Sequence, residues 1–410
     1  MQAPDRRKPA SRPRLADLAR ISISSEVASI IHANDRPLSR SLKDLNCWIA
    51  VDVGTESFGL KFARGKVCVE AQGSGKPEAT VSGNRDTIID LVSGRESGIQ
   101  AYLDGRLQVR GNLALVMKLQ SLFEDPELGS RSFRTGYTRA AGIRTFYLEA
   151  GEGTPLILLH GLGATSASML PAFWDLAKDH RVIAPDLPGF GESGKPVRAY
   201  NASFFGRWLL DLLDVLDVGK AHLVGNSMGG RIAIEAALQA PERVDRLVLL
   251  APSLAFIKGR QFAPLVKLFR SELALLPLFV SRKRLTMFVR SMFSKPSRLP
   301  DSWYDSAVDE FLRTFSSPRG RTALFSAGRE IYLESPYGEH GFWDRLAQLE
   351  RPALFIWGAK DILVPVGFAK HVQKALPNSK SMIFNDCGHI PQFELPDRTN
   401  AAIRSFLGSV

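Results

Sequence analysis

Hydrophobic and polar positions change their rhythm along the chain of 410 residues. Near the amino terminus three short segments alternate apolar and polar residues, which predicts half-buried antiparallel strands: "WIAVDV", "SFGLKFA" and "KVCVEA". Two helical patterns follow, "DTIIDLVSG" and the strongly apolar "GNLALVMKLQSLF". Residues 15–125 are therefore predicted to form a small α+β domain, and the Pro/Arg-rich residues 1–14 a disordered lead-in.

A different pattern begins near residue 133, where continuous apolar runs alternate with helical stretches. The runs are "PLILLHG", "RVIAPDLPG", "KAHLVGNS", "RLVLLAP", "PALFIWGAKD" and "SMIFNDCGH". Such runs predict a mainly parallel sheet covered on both faces, so residues 133–410 form an α/β domain. The interval 254–341 has helical patterns only and predicts an inserted helical cap, while residues 126–132 are predicted to be a linker.

The composition of the chain indicates in which cellular compartment it works and which classes of partner it binds. The formal net charge is +11 and the pI about 9.6, but no nucleic-acid module is recognisable, so we expect no nucleic-acid partner. Three widely separated cysteines indicate free thiols in a reducing compartment. No signal-peptide pattern and no apolar run of ~20 residues is present. We expect a cytoplasmic protein without metal or cofactor; composition leaves the oligomeric state open.

The first part of the cap, residues 256–300, interleaves many basic residues with Phe, Leu and Val. Within this segment only Glu272 opposes them. The pattern suits peripheral contact with an anionic membrane or with an acyl chain that has an acidic head. It equally suits a solvated basic face over an ordinary cap core.

The stretch "GNSMGG" places Ser227 between an apolar strand and a helical pattern, as in a G-x-S-x-G nucleophile elbow. Glycines suit a strained turn in which neighbouring backbone crowds the serine. The motif alone also fits a glycine-rich turn with a solvated serine. A serine hydroxyl is barely nucleophilic at neutral pH, so a catalytic Ser227 needs a base.

Among the histidines downstream of Ser227, His389 directly follows an apolar strand, whereas His340 lies in the cap region and His371 in a helical stretch. Asp361 likewise ends an apolar strand, although taken alone it could be a helix N-cap. We predict a catalytic set of Ser227, Asp361 and His389, in the chain order that such elbows use.

Acyl chemistry also needs N–H donors directed at the developing oxyanion. The backbone N–H groups of Met228, in the elbow, and Leu162, in "HGLGA", are the candidates. We interpret His160, in the same motif, as a structural histidine that holds this loop.

Five motifs in this order resemble the α/β-hydrolase family: "HGLGA", "DLPGFGES", "GNSMGG", "WGAKDILVP" and "GHIPQFE". The resemblance covers residues 133–410 and implies a mainly parallel sheet with a helical cap. A serine at the elbow argues against the epoxide-hydrolase and haloalkane-dehalogenase branches. It leaves esterases, lipases, thioesterases and C–C bond hydrolases. Many of the last carry a tryptophan after the histidine, where this chain has Ile390, which favours ester hydrolysis.

The stretch "GIQAYLDGRLQVRGNLALVMKLQSLF" resembles the sterol-carrier-protein type 2 family, over about residues 30–125. That resemblance implies a small α+β domain with an apolar tunnel for acyl chains or sterols. Five apolar residues are candidates for the tunnel wall, with an ordinary core as the alternative: Leu113, Leu115, Val116, Leu119 and Phe123.

The leading hypothesis is a serine hydrolase that cleaves a carboxylic ester or thioester of a lipophilic substrate through an acyl-enzyme. The first domain would bind or present the lipid. Two alternatives stay open: a C–C bond hydrolase of a ring-cleavage product, and a non-catalytic lipid-binding or transfer protein.

Overall fold

The computed structural model describes residues 22–33, 45–54, 56–71, 75–123, 133–255, 270, 272–276 and 278–408, with side chains from 121 to 123 excepted. The predicted lead-in (1–14) and linker (126–132) lie outside the described residues, as does the cap segment 256–269.

The first domain is built on a mixed sheet of order β3-β2-β1-β4-β5. Its strands β1 and β4 pair in parallel, and the other neighbours pair antiparallel. The strands are β1 (Cys47–Asp52), β2 (Ser57–Ala63), β3 (Lys66–Glu70), β4 (Ala79–Gly83) and β5 (Leu107–Gly111). The helices are α1 (Ile23–Ala33), α2 (Arg85–Val92), α3 (Gly98–Leu103) and α4 (Leu113–Phe123). The α+β fold that the alternating segments predict is present.

The second domain contains a sheet of order β13-β12-β11-β10-β8-β9-β7-β6. Pairing is parallel from β13 through β9, and β6 and β7 pair antiparallel at one edge. The strands are β6 (Arg134–Ala140), β7 (Ile143–Ala150), β8 (Pro155–Leu159), β9 (Arg181–Pro185), β10 (Ala221–Asn226), β11 (Val244–Leu250), β12 (Ala353–Gly358) and β13 (Lys380–Phe384). The central strands are buried along their length, as continuous apolar runs require.

Helices cover both faces of this sheet and build the cap. Those of the main body are α5 (Leu170–Leu176), α6 (Ala202–Val215), α7 (Met228–Gln239), α12 (Phe368–Ala375), α13 (Pro391–Glu394) and α14 (Pro396–Leu407). Between β11 and β12 the described residues contain helices and no strand: α8 (Arg282–Ser291), α9 (Asp301–Phe315), α10 (Pro318–Tyr332) and α11 (Phe342–Leu346). No helix in the described ranges is long and apolar enough to cross a membrane.

Cap helix α9 connects the two domains. Ser306 Oγ donates a hydrogen bond to the Val109 carbonyl at 2.6 Å, and Arg110 Nε donates to Asp309 Oδ2 at 2.9 Å. Both contacts run from the helix to strand β5, so the cap is packed against the first domain as well as over the second.

A buried charge cluster forms a second connection. Lys118 of α4 lies 3.4 Å from Glu192 and donates to the Tyr137 hydroxyl at 2.8 Å, while Arg313 Nη1 donates to Glu192 at 2.7 Å. Burial raises the pKa of Glu192, but Lys118 and Arg313 outweigh it and lower the pKa to about 2. Glu192 is therefore ionised at neutral pH.

Several basic residues of the cap pair with carboxylates that lie outside residues 256–300. The pairs are Arg282 with Asp305 and Asp309, Arg290 with Asp301, and Arg298 with Asp386 and Glu394. The local excess of positive charge in the sequence is thus partly balanced by residues distant along the chain.

Candidate functional site

Ser227 lies at a sharp turn between β10 and α7, with φ 53° and ψ −116°. This φ is strained for a residue with a side chain. The flanking glycines are required by space, since a Cβ at Gly229 would lie 2.1 Å from the Leu159 carbonyl oxygen. At Gly225 it would lie 2.4 Å from the Gly229 backbone. The turn holds the hydroxyl at the carboxyl edge of the sheet.

His389 and Asp361 meet at the same edge. His389 Nδ1 and Asp361 Oδ2 are 2.7 Å apart, and both residues are buried. The other oxygen of Asp361 accepts the N–H groups of Leu363 and Val364, at 2.8 and 2.9 Å, which orients the carboxylate. Ser227 and His389 line one cavity. The structure therefore brings together all three residues of the predicted set.

The other two candidate bases lie elsewhere. His340 and His371 are both exposed, and neither lines this cavity.

Glu394 anchors the loop that carries His389. Its buried carboxylate accepts the N–H of Gly388 at 2.7 Å, and the N–H groups of Ser294 and Lys295, in the cap, at 3.1 and 2.9 Å. The backbone N–H of His389 donates to the Met292 carbonyl at 2.7 Å. The base is therefore positioned jointly by the sheet and by the cap.

Two hydroxyl groups next to Ser227 are absent from the predicted site. Ser227 Oγ lies 3.3 Å from Ser253 Oγ, which donates to the Tyr332 hydroxyl at 2.7 Å. Burial raises the pKa of Tyr332, which is neutral at pH 7. Ser253 follows β11 in the stretch "APS". Tyr332 ends a cap helix and has no motif around it.

Leu162 and Met228 stay predictions as the oxyanion donors. Leu162 lines the cavity. Met228 is the first residue of α7, a position whose N–H has no acceptor within the helix. His160 accepts the Leu187 N–H through Nε2 at 2.9 Å, and burial lowers its pKa to about 4. A neutral, fully buried histidine that bonds a neighbouring loop matches the structural role predicted for it.

The cavity at Ser227 has a volume of about 400 Å³. Most of its wall is apolar, with α8 and α9 supplying residues such as Leu285, Phe288 and Phe311. Among the described lining residues none is Lys or Arg, and the one carboxylic acid is Glu310. Burial raises the pKa of Glu310, against the opposing effect of Arg313.

A second cavity, of about 90 Å³, lies inside the first domain. Of the residues predicted for a lipid tunnel, Leu113, Val116 and Leu119 line it. Leu115 is buried but is not part of this wall. Phe123 ends α4, and its side chain lies outside the described residues.

Family comparisons agree with both halves of this architecture. Residues 154–396 match the alpha/beta hydrolase fold family, and residues 29–124 match the SCP-2 sterol transfer family. The chain belongs to the alpha/beta hydrolases and carries an amino-terminal SCP2 domain.

Several proteins that this chain resembles are hydrolases by name, among them a solved meta-cleavage product hydrolase from Pseudomonas fluorescens, with 27% identity and a TM-score of 0.56, covering 66% of this chain and 97% of that one. A 2-hydroxymuconate semialdehyde hydrolase from Pseudomonas sp. (strain CF600) is 31% identical over 282 residues, which cover 65% of this chain and 92% of the relative. A 2-hydroxy-6-oxononadienedioate/2-hydroxy-6-oxononatrienedioate hydrolase from Burkholderia vietnamiensis is 31% identical over 280 residues, covering 65% and 91%. A solved serine hydrolase involved in carbazole degradation superposes with a TM-score of 0.55 at 26% identity, covering 67% of this chain and 99% of that one.

Proposed function

We propose that this protein is a serine hydrolase that cleaves a carboxylic ester or thioester of an uncharged, lipophilic substrate. The observation that carries the proposal is the cavity at Ser227, about 400 Å³ in volume, largely apolar and, in its described wall, without a basic side chain. An apolar pocket with few polar groups selects ligands by hydrophobic burial.

In the proposed reaction Ser227 Oγ attacks the acyl carbonyl carbon, and His389 accepts the hydroxyl proton. Asp361 holds the imidazole in the tautomer that leaves Nε2 free to act as the base. The N–H groups of Leu162 and Met228 stabilise the oxyanion. His389 then protonates the leaving alcohol or thiol, and water releases the acid from the acyl-enzyme with His389 again as base.

Cleavage of a C–C bond in a ring-cleavage product is the second candidate, because one of the matched structures is by its name a meta-cleavage product hydrolase. One relative's substrate is by its name a dicarboxylate. Transferring a dianion from water into this cavity is costly, because its described wall is largely apolar and offers a carboxylic acid and no cation. The composition of the wall therefore favours the neutral ester.

We further propose that the cap contacts an anionic membrane. Phe279 is 96% exposed and Met287 61% exposed, close along the chain to Phe288, which lines the cavity. Lys283 and Arg284 are also exposed on α8. Apolar side chains beside cations suit an anionic lipid surface. We expect Phe279→Glu to weaken cosedimentation with phosphatidylglycerol vesicles, and Val197→Glu, on another exposed apolar residue, to leave it unchanged.

The test of the proposed activity compares two substrate classes on the same preparation. We expect turnover of p-nitrophenyl esters and negligible turnover of 2-hydroxymuconate semialdehyde. Ser227→Ala should lower ester kcat by about 10⁶-fold, whereas Ser381→Ala, at an exposed position on β13, should behave as wild type. Efficient cleavage of the semialdehyde, with ester hydrolysis no faster than in Ser227→Ala, would overturn the proposal. If the wild-type protein turns over neither substrate but binds lipid, the non-catalytic alternative is supported.

A further inference from the structure

The catalytic cavity and the first-domain cavity share part of their walls. Tyr102, in α3, and Leu113, at the start of α4, line both cavities. Each domain also contributes to the other's cavity, since Leu170 of α5 lines the cavity of the first domain. The walls of the two cavities therefore share Tyr102 and Leu113.

The cap holds this wall in place. Trp303 Nε1 donates to the Tyr102 carbonyl at 3.0 Å, and the two rings stack with centroids 6.1 Å apart. Glu310 Oε1 accepts the Leu113 N–H at 3.0 Å. Trp303 and Glu310 both line the catalytic cavity. The wall is thus positioned by the same helix, α9, that covers the catalytic serine.

The two cavities differ in size and chemistry. The first-domain cavity, at about 90 Å³ against about 400 Å³, is lined almost wholly by aliphatic and aromatic side chains such as Ile49, Phe58 and Val81. Among its described lining residues, only Glu96, Tyr102 and Gln120 carry polar side-chain groups, and Gln120 Oε1 already accepts the Ile99 N–H. Its size and composition suit the end of a hydrocarbon chain.

We propose that a single substrate occupies both cavities, with its ester at Ser227 and the far end of its acyl chain inside the first domain. The chain passes the Tyr102–Leu113 wall when these side chains rotate aside. The SCP2 domain then determines acyl-chain length for the hydrolase. This inference rests on the proposed ester hydrolysis, which it deepens by assigning the tail of the substrate a binding site.

Two variants change the tail site in opposite directions. Val81 lines only the first-domain cavity, so Val81→Phe fills that cavity at a distance from Ser227. Leu113→Ala opens the wall. The measured quantity is the ratio of kcat/KM for p-nitrophenyl dodecanoate to that for the butanoate. We expect Val81→Phe to lower this ratio by about fourfold for each methylene displaced, and Leu113→Ala to raise it. Val197→Phe, an exposed control, should keep the wild-type ratio.

A binding measurement separates failure of this inference from failure of the proposed reaction. Dodecanoate and butanoate affinities are measured on Ser227→Ala, with and without Val81→Phe. If wild type hydrolyses esters and both variants keep its ratio, the shared tail site is wrong. If wild type hydrolyses no ester, the proposed reaction fails; weaker dodecanoate binding with Val81→Phe then still supports the tail site, and unchanged binding overturns it. Should Val81→Phe not fold, the ratio for Leu113→Ala decides.

Discussion

Replacing Glu394 with glutamine tests whether the cap positions the catalytic histidine. Glu394 Oε2 accepts the N–H groups of Gly388 and Ser294, and Oε1 accepts the Lys295 N–H and an Arg298 Nη1–H at 3.3 Å. A glutamine side chain has one oxygen and one NH₂ group. Whichever way the amide is oriented, its NH₂ faces two donors that have lost their acceptor.

The contacts set the size of the expected effect. Each buried donor left without an acceptor costs about 1–3 kcal/mol, and two are left in either orientation. We therefore expect Glu394→Gln to lower the free energy of unfolding by about 2–6 kcal/mol. Part of the loss should appear as displacement of the loop that carries His389, which slows attack by Ser227 by about 10–100-fold.

Urea unfolding measures the loss of stability, and the rate of fluorophosphonate labelling of Ser227 measures the slower attack. Glu330→Gln is the matched control, because Glu330 is exposed on α10. If Glu394→Gln labels and unfolds like Glu330→Gln, the anchoring role assigned to Glu394 is refuted. A loss of stability with an unchanged labelling rate would confine Glu394 to a structural role.

Three further predictions concern single groups. Asp361→Asn should preserve the fold but lower kcat by about 10⁴-fold, since the amide favours the wrong tautomer of the histidine; kcat together with circular dichroism checks this, and a loss below tenfold contradicts it. Tyr332→Phe leaves Ser253 Oγ without its acceptor and should lower kcat/KM by about 5–30-fold, measured on p-nitrophenyl butanoate, whereas wild-type kinetics would exclude a role for this hydroxyl. Glu192, with a folded pKa of about 2 against an ordinary 4.5, stabilises the native chain above pH 4.5 by about 3 kcal/mol, and this is lost as the pH falls from 4.5 towards 2. Urea unfolding from pH 5.5 to 2.5 should show that loss in wild type and a weaker one in Glu192→Gln; equal pH dependence would contradict it.

The sequence predicts the three proposed catalytic residues better than the residues that surround them. Ser227, Asp361 and His389 follow the carboxyl ends of β10, β12 and β13. Parallel strands deliver their carboxyl ends to one edge of the sheet, so the convergence of these residues follows from local pattern. Glu394 is visible in "GHIPQFE", but its donors include cap residues about 100 positions earlier, which no local pattern connects.

Long-range pairing explains most of what sequence reasoning missed. Tyr332 approaches the nucleophile only because the cap folds back over the sheet, and nothing in its neighbours signals that. In the local sequence the basic residues of the cap form an excess of positive charge, because their partners, such as Asp386 for Arg298, lie in other segments. The position of Leu113 in two cavity walls likewise depends on how the domains dock.

The reciprocal walls, Leu170 in one cavity and Tyr102 in the other, bear on how this chain can be engineered. Fused domains are often treated as interchangeable modules that can be cut at the linker and grafted elsewhere. Here a cut would remove part of the catalytic pocket and open an apolar interior to solvent on both fragments. Grafting a different SCP2 domain onto this hydrolase would accordingly redesign its active site, even with every catalytic residue left untouched.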